Sequence, residues 1–224
     1  MTISSYSELK TGLQNWSART DSAITSRHDE FIDMCENSLF YGMEDPFTGD
    51  KIRPLRNSNM QTTTDLTVNA QEVAKPSDYL SAIRLYIDGT PQRDLEYLAP
   101  DQFWSRAGAV TTSKPYYYTI EGDNFVFGPS PDSSYTGKLL YYAKFSQLSD
   151  SNTTNWLITN YPNVYLFGSL LHLYIYLRDD NEAKKALSLY KSFLNGLNEQ
   201  QEKERASGSV LRQRPDYAPT AGNG

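Results

Sequence analysis

The apolar residues of this chain keep two different periods, and the period changes twice. From Tyr6 to Leu39, and again after Thr153, they recur every three to four positions; between Gln61 and Phe145 they recur every second position. A helix and a strand bury their apolar faces in different layers, so the pattern predicts an α+β fold, an antiparallel helix bundle with an inserted antiparallel β region. The boundaries read as 1–60 for two helices and a connector, 61–150 for the β insertion, 151–206 for two more helices and 207–224 for an extended C-terminal arm.

Local signals sharpen the helices. Ser5-Tyr6-Ser7-Glu8 fits a capping box, with Ser5 as N-cap and Glu8 reaching back to it; Tyr6, Leu9, Leu13 and Trp16 follow at helical spacing. Asp21 caps a second predicted helix with the stripe Ile24, Phe31, Ile32, Cys35 and Leu39, stopped at Gly42. Pro46, Gly49 and Pro54 make Glu44 to Asn59 a connector. Tyr161 to Leu177 is apolar nearly all round, as a central bundle helix should be. Its Asn163, Ser169 and His172, and its short length, argue for burial by protein and not by a bilayer. Asp179-Asp180-Asn181 breaks the run and caps an antiparallel partner with the stripe Ala183, Leu187, Tyr190, Leu194 and Leu197.

In the middle region, Ile83, Leu85 and Ile87 alternate with Arg84, Tyr86 and Asp88, which describes a half-buried strand. Gly122-Asp123 fits a type II′ hairpin turn, glycine first. Pairing outward from it sets Ile120 opposite Phe125 and Tyr118 opposite Phe127, all on one face. Leu139, Tyr141, Ala143 and Phe145 supply another alternating strand, and Asp101 caps a helical turn expected to bury Phe103 and Trp104.

Composition bears on function. The 224 residues hold 17 Tyr, against 9 Phe and 3 Trp. Tyrosine suits surfaces that become buried on assembly, and it equally suits strands. A net charge of -6 argues against a dedicated nucleic-acid binder, which needs a basic face. The single cysteine, Cys35, permits neither an internal disulfide nor a cysteine-based metal site, and no secretory leader is expected at Met1 to Ser7.

Catalytic patterns are missing from the sequence. His28 and His172 fall within helical stripes and read as satisfied core or interface residues; Cys35 reads as a small buried hydrophobe; Asp179 and Asp180 read as caps. There is no His-Glu-x-x-His run, nucleophile elbow or phosphate-cradling glycine loop. The expectation is a non-enzymatic protein without metal or cofactor.

Three stretches are similar to bacteriophage head-to-tail adaptor proteins. They are Tyr161-Pro162-Asn163-Val164-Tyr165-Leu166-Phe167-Gly168-Ser169 with Tyr176-Leu177-Arg178-Asp179-Asp180 after it; Lys114-Pro115-Tyr116-Tyr117-Tyr118-Thr119-Ile120; and Phe127-Gly128-Pro129-Ser130-Pro131 with Leu140-Tyr141-Tyr142. The resemblance spans roughly Tyr6 to Leu197. It implies a structural virion protein of the phage neck, a ring, usually of twelve copies, between portal and tail. Such a ring lines the channel that DNA traverses without specific binding and offers a docking surface to tail or nozzle proteins, with no membrane involved. It also implies that the C-terminal segment is a portal-binding arm. Within that segment Leu211 and Tyr217, with Val210, are the apolar anchors, and Arg212 and Arg214 would meet acidic or carbonyl-rich surface. The alternatives are a tail-associated hydrolase using carboxylates, or another neck protein such as a stopper or tail-completion factor.

Overall fold

The computed structural model describes residues 3–107 and 112–207, with side chains to Glu199. Helix α1 (Tyr6–Ser17) begins at Ser5, whose hydroxyl accepts from the Glu8 amide at 3.4 Å. The Glu8 carboxylate reaches back one residue farther than the capping box predicts. It accepts from the Ser4 amide at 2.7 Å and the Ser4 hydroxyl at 2.8 Å.

The second predicted helix is two helices, α2 (Ser22–Thr25) and α3 (His28–Tyr41). Asp21 occupies the N-cap position of α2 but makes no side-chain capping bond. Arg27, at φ -107° and ψ 4°, leaves helical geometry between them. Ser22, Thr25 and Ser26 are weak helix formers, so little local propensity resists the break. Helix α3 buries Phe31, Ile32, Cys35 and Leu39 as the stripe predicts, and Glu36 as well. It stops at Gly42, where φ is +79° and a Cβ would lie 2.7 Å from the Ile52 carbonyl oxygen.

The connector is more ordered than its prolines suggest. Strands β1 (Met43–Glu44) and β2 (Lys51–Ile52) pair as a small hairpin. Asp45 organises the turn, accepting from the amides of Phe47 at 2.8 Å and Thr48 at 3.1 Å.

The insertion contains β3 (Gln61–Val68), β4 (Glu72–Ala74), β5 (Tyr79–Ile87), β6 (Arg93–Asp94), β7 (Glu96–Tyr97), α4 (Pro100–Ala107), β8 (Tyr117–Glu121), β9 (Asn124–Gly128) and β10 (Tyr135–Ala143). These make two four-stranded sheets, ordered β3-β10-β5-β6 and β4-β9-β8-β7. Their facing surfaces share one core that includes Leu66, Val68, Leu85, Ile87, Leu139, Tyr118, Phe125 and Phe127. The β8–β9 hairpin has the predicted register, Ile120 to Phe125 and Tyr118 to Phe127. At its turn φ is positive at Gly122 and not at Asp123, as type II′ geometry requires. One pairing departs from the antiparallel expectation: β7 runs parallel to β8 across two residues. The chain between them crosses over through α4, and a crossover returns a strand in the parallel sense.

Helix α4 covers the other face of the second sheet, with Phe103 fully buried beside Leu98 and Val126. Trp104, expected to be buried, is instead 46% exposed, and its indole N–H donates to Glu121 at 2.6 Å. Adjacent helical positions point about 100° apart, so one turn cannot bury both rings against one sheet.

The chain then returns to the bundle through α5 (Trp156–Asn160), α6 (Pro162–Leu177) and α7 (Asp180–Ser207). Helix α6 is central, with Val164 through Leu171 and Leu173 buried. Arg178 turns into the left-handed region at φ 58° to end it, and Asp179 caps α7 by accepting from the Glu182 amide at 3.2 Å. Gly168 sets the helix spacing: a Cβ there would lie 2.3 Å from Cys35 Sγ and 3.0 Å from a Tyr190 ring carbon. None of these described helices is long and apolar enough to cross a membrane.

Candidate functional site

The polar groups inside the bundle are the first place to look for chemistry. Glu36 is fully buried on α3. Its carboxylate accepts from the Leu148 amide at 2.9 Å, the Tyr165 hydroxyl at 2.7 Å and the Gln147 side chain at 3.1 Å. The Tyr165 hydroxyl in turn accepts from Asn155 at 2.7 Å, and Asn155 caps α5 through the amides of Leu157 and Ile158. Burial pushes the Glu36 carboxyl above the ordinary glutamate range, against the lowering effect of these donors. The network fastens α3, α5, α6 and the segment returning from the β insertion to one another. Three protein donors thus hold Glu36 in place as a hydrogen-bond acceptor. The sequence offered no signal for it beyond an acidic residue one position from the apolar stripe.

The other candidate groups are packed away. Cys35 is fully buried, and burial raises its thiol far above the usual range, so no reactive thiolate forms. His28 is 2% exposed with its ring pKa lowered by burial, and His172 is pushed down to about 4 for the same reason. Both were expected to be satisfied core or interface residues. His28 is buried and His172 half-buried, but each Nε2 is buried without a partner among the described residues. No cluster of three His, Cys, Asp or Glu able to hold a metal occurs among the described residues.

What the molecule displays lies on its surface. Around the connector hairpin, Tyr41 is 62% exposed and borders a cleft of about 520 Å³ shared with Lys75, Tyr79, Asp123 and Lys144. The Lys144 ammonium sits 5.2 Å from the Tyr41 ring centre, and that of Lys184 sits 5.1 Å from the Phe47 ring centre. On the β insertion, Tyr97, Trp104 and Tyr116 are about half exposed, with the Arg93 guanidinium 4.1 Å from the Tyr116 ring centre. Exposed aromatic residues and arginine are enriched on surfaces that bind protein. The predicted arm residues Val210, Leu211, Arg212, Arg214 and Tyr217 lie outside the described residues.

A surface rich in exposed tyrosine on a core whose acid is fixed in place is the profile of an assembly component. Comparison with protein families agrees: the model of the SU10 adaptor protein matches residues 4–214. The chain belongs to that family. It is therefore an adaptor of the phage head–tail junction, a structural class of the virion neck that is typically non-enzymatic. A search of curated proteins found no match. The family match is longer than the resemblance read from packing motifs, because it includes all of α7 and continues seven residues beyond Ser207. Val210, Leu211, Arg212 and Arg214 fall inside the matched range and Tyr217 outside it.

Proposed function

We propose that this adaptor assembles as a ring, of twelve copies, beneath the portal, continues the DNA channel and presents the docking surface for tail or nozzle proteins. The observation that carries this reading is the family match across residues 4–214. The acidic balance of the chain supports a lumen that lets DNA pass without gripping it. Exposed Tyr41, Tyr97, Trp104 and Tyr116 support extensive contacts with neighbouring protein. The C-terminal segment, with Leu211 and Tyr217 as apolar anchors and Arg212 and Arg214 as charged contacts, serves as the arm that reaches the portal.

Imaging of the purified protein mixed with its portal tests the proposal. A coaxial ring on the portal is expected, and a protein that stays dispersed in the presence of portal would refute it. Deleting residues 208–224 leaves every core residue in place among the described residues, the last of which in the helical core is Leu197. The truncated protein should fold and bind portal rings far more weakly.

A further inference from the structure

The two sheets of the insertion have four edge strands, and three of them are short among the described residues. Strands β6 and β7 are two residues long and β4 is three. The fourth edge is β3, eight residues, Gln61–Val68, paired only with β10. Among the described residues, no backbone hydrogen bond reaches β3 from the side away from β10. Every second residue of an antiparallel edge strand turns its N–H and C=O outward, so β3 offers a row of open donors and acceptors.

Protected edges carry proline, lysine, a bulge or an inward-pointing charge. Gln61-Thr62-Thr63-Thr64-Asp65-Leu66-Thr67-Val68 has no proline and no lysine, and its register with β10 is unbroken. Thr62, Thr63, Asp65 and Thr67 are exposed. The charge of Asp65 is already met by Lys138 at 2.7 Å.

The described strands are all committed to sheets of their own. The family match, however, continues beyond helix α7 through 208–214. That stretch, Gly208-Ser209-Val210-Leu211-Arg212-Gln213-Arg214, is free of proline and ends just before Pro215. Its seven residues would span about 23 Å extended, close to the length of β3. Alternation would set Leu211 and Arg212 on opposite faces of the added strand. From Leu197, the last residue of the helical core among the described residues, α7 continues to Ser207, about 15 Å farther along its axis. Gln200-Gln201-Glu202-Lys203-Glu204-Arg205 is polar all round, which suits a helix leading away from its own body.

We infer that residues 208–214 of a second copy add to the free edge of β3, joining neighbouring subunits by β-augmentation. The inference rests on the ring reading and deepens it. The neighbour's sheet holds the backbone of the arm, leaving outer-face side chains and residues 215–224 for the portal. Such an exchange is heterologous, with a different surface used on each partner, and a heterologous interface can close into a ring.

Amide hydrogen exchange on the assembled full chain tests it. Outward amides of β3 should exchange on the order of tenfold more slowly than in protein truncated after Ser207. In a mixture, ¹⁵N-labelled truncated chains should regain that protection from unlabelled full-length neighbours. A full-length chain carrying Val210→Pro and Arg212→Pro should lose it. Rings that form with β3 amides equally exposed in both proteins would overturn the inference and leave the ring reading intact. Labelled truncated chains that stay unprotected in the mixture, while the all-full-length assembly is protected, would mean that each arm folds back on its own sheet, which also overturns it. A chain that stays monomeric with and without portal would instead refute the ring itself.

Discussion

The helix bundle and the β insertion fix their neighbours by different means. A helix satisfies its backbone internally, so nothing in the backbone says which helix lies beside it or at what height. In the bundle that information comes from side chains: the Gly168 notch against Cys35 and Tyr190, the Glu36–Tyr165–Asn155 network, and the Ser38 hydroxyl 3.0 Å from that of Tyr190. A strand takes its neighbour through the ladder itself. The core between the two sheets is correspondingly almost pure hydrocarbon and aromatic ring, with Phe125 meeting Tyr79 at 5.3 Å and Tyr118 at 6.1 Å between ring centres. Register is thus set by a few polar and steric devices in one region and by repetition in the other.

The contrast is open to attack from its strongest point. Phe125→Ala removes a fully buried ring from the middle of the sheet core and should destabilise the protein by roughly 3–5 kcal/mol in chemical denaturation. A loss below about 1 kcal/mol would mean that the hairpin is peripheral or that these aromatics serve an interface. In the bundle, Gly168→Ala adds one methyl group where no space exists, and roughly 1–3 kcal/mol should be lost. Gly196→Ala on α7, where a Cβ would meet nothing within 4 Å, should be neutral or stabilising, which separates packing from propensity.

Two smaller effects have opposite pH signs. Glu36 has its folded pKa raised by burial, so its contribution to stability is complete below the ordinary glutamate range and fades as pH rises through the folded value. Glu36→Gln should flatten that decline in a series of melting curves upward from about pH 4.5; an unchanged slope would show that the acid does not titrate with folding. Asp45 is the reverse case, held down to about 2 by Lys191 and by the turn amides. Its contribution is present above its ordinary pKa of 3.8 and is lost as pH falls from there through about 2. Asp45→Asn keeps an oxygen for the turn and removes the charge, so about 1 kcal/mol should disappear at neutral pH. The acid-induced loss should shrink with it, and an equal acid sensitivity in the variant would place the titration elsewhere.

Much of this molecule was legible in its residues because the relevant information is local. Periodicity gave the helices, the strands and the places where one kind yields to the other. Gly42 gave the end of α3, and Gly122-Asp123 gave the hairpin and, by counting outward, which aromatic faced which. The weak helix formers around Ser26 were in view, but whether α2 and α3 join depends on how Ile24 and Phe31 both reach the core. The burial of Trp104 was misjudged because periodicity says that one face of α4 is apolar, not which neighbouring ring the sheet covers.

The candidate interface was legible as composition only. An excess of tyrosine says that amphipathic surface exists; exposure at Tyr41, Tyr97 and Tyr116 is decided by which positions the sheets and helices leave uncovered. Glu36 was invisible because its three donors lie more than a hundred residues away in sequence and approach only when the β insertion closes back on the bundle. The open edge of β3 is likewise a property of strand order. By itself the sequence fixes each strand's faces through side-chain alternation. Which strands end with an unpaired side depends on backbone groups that every residue carries alike, so only the tertiary arrangement decides it.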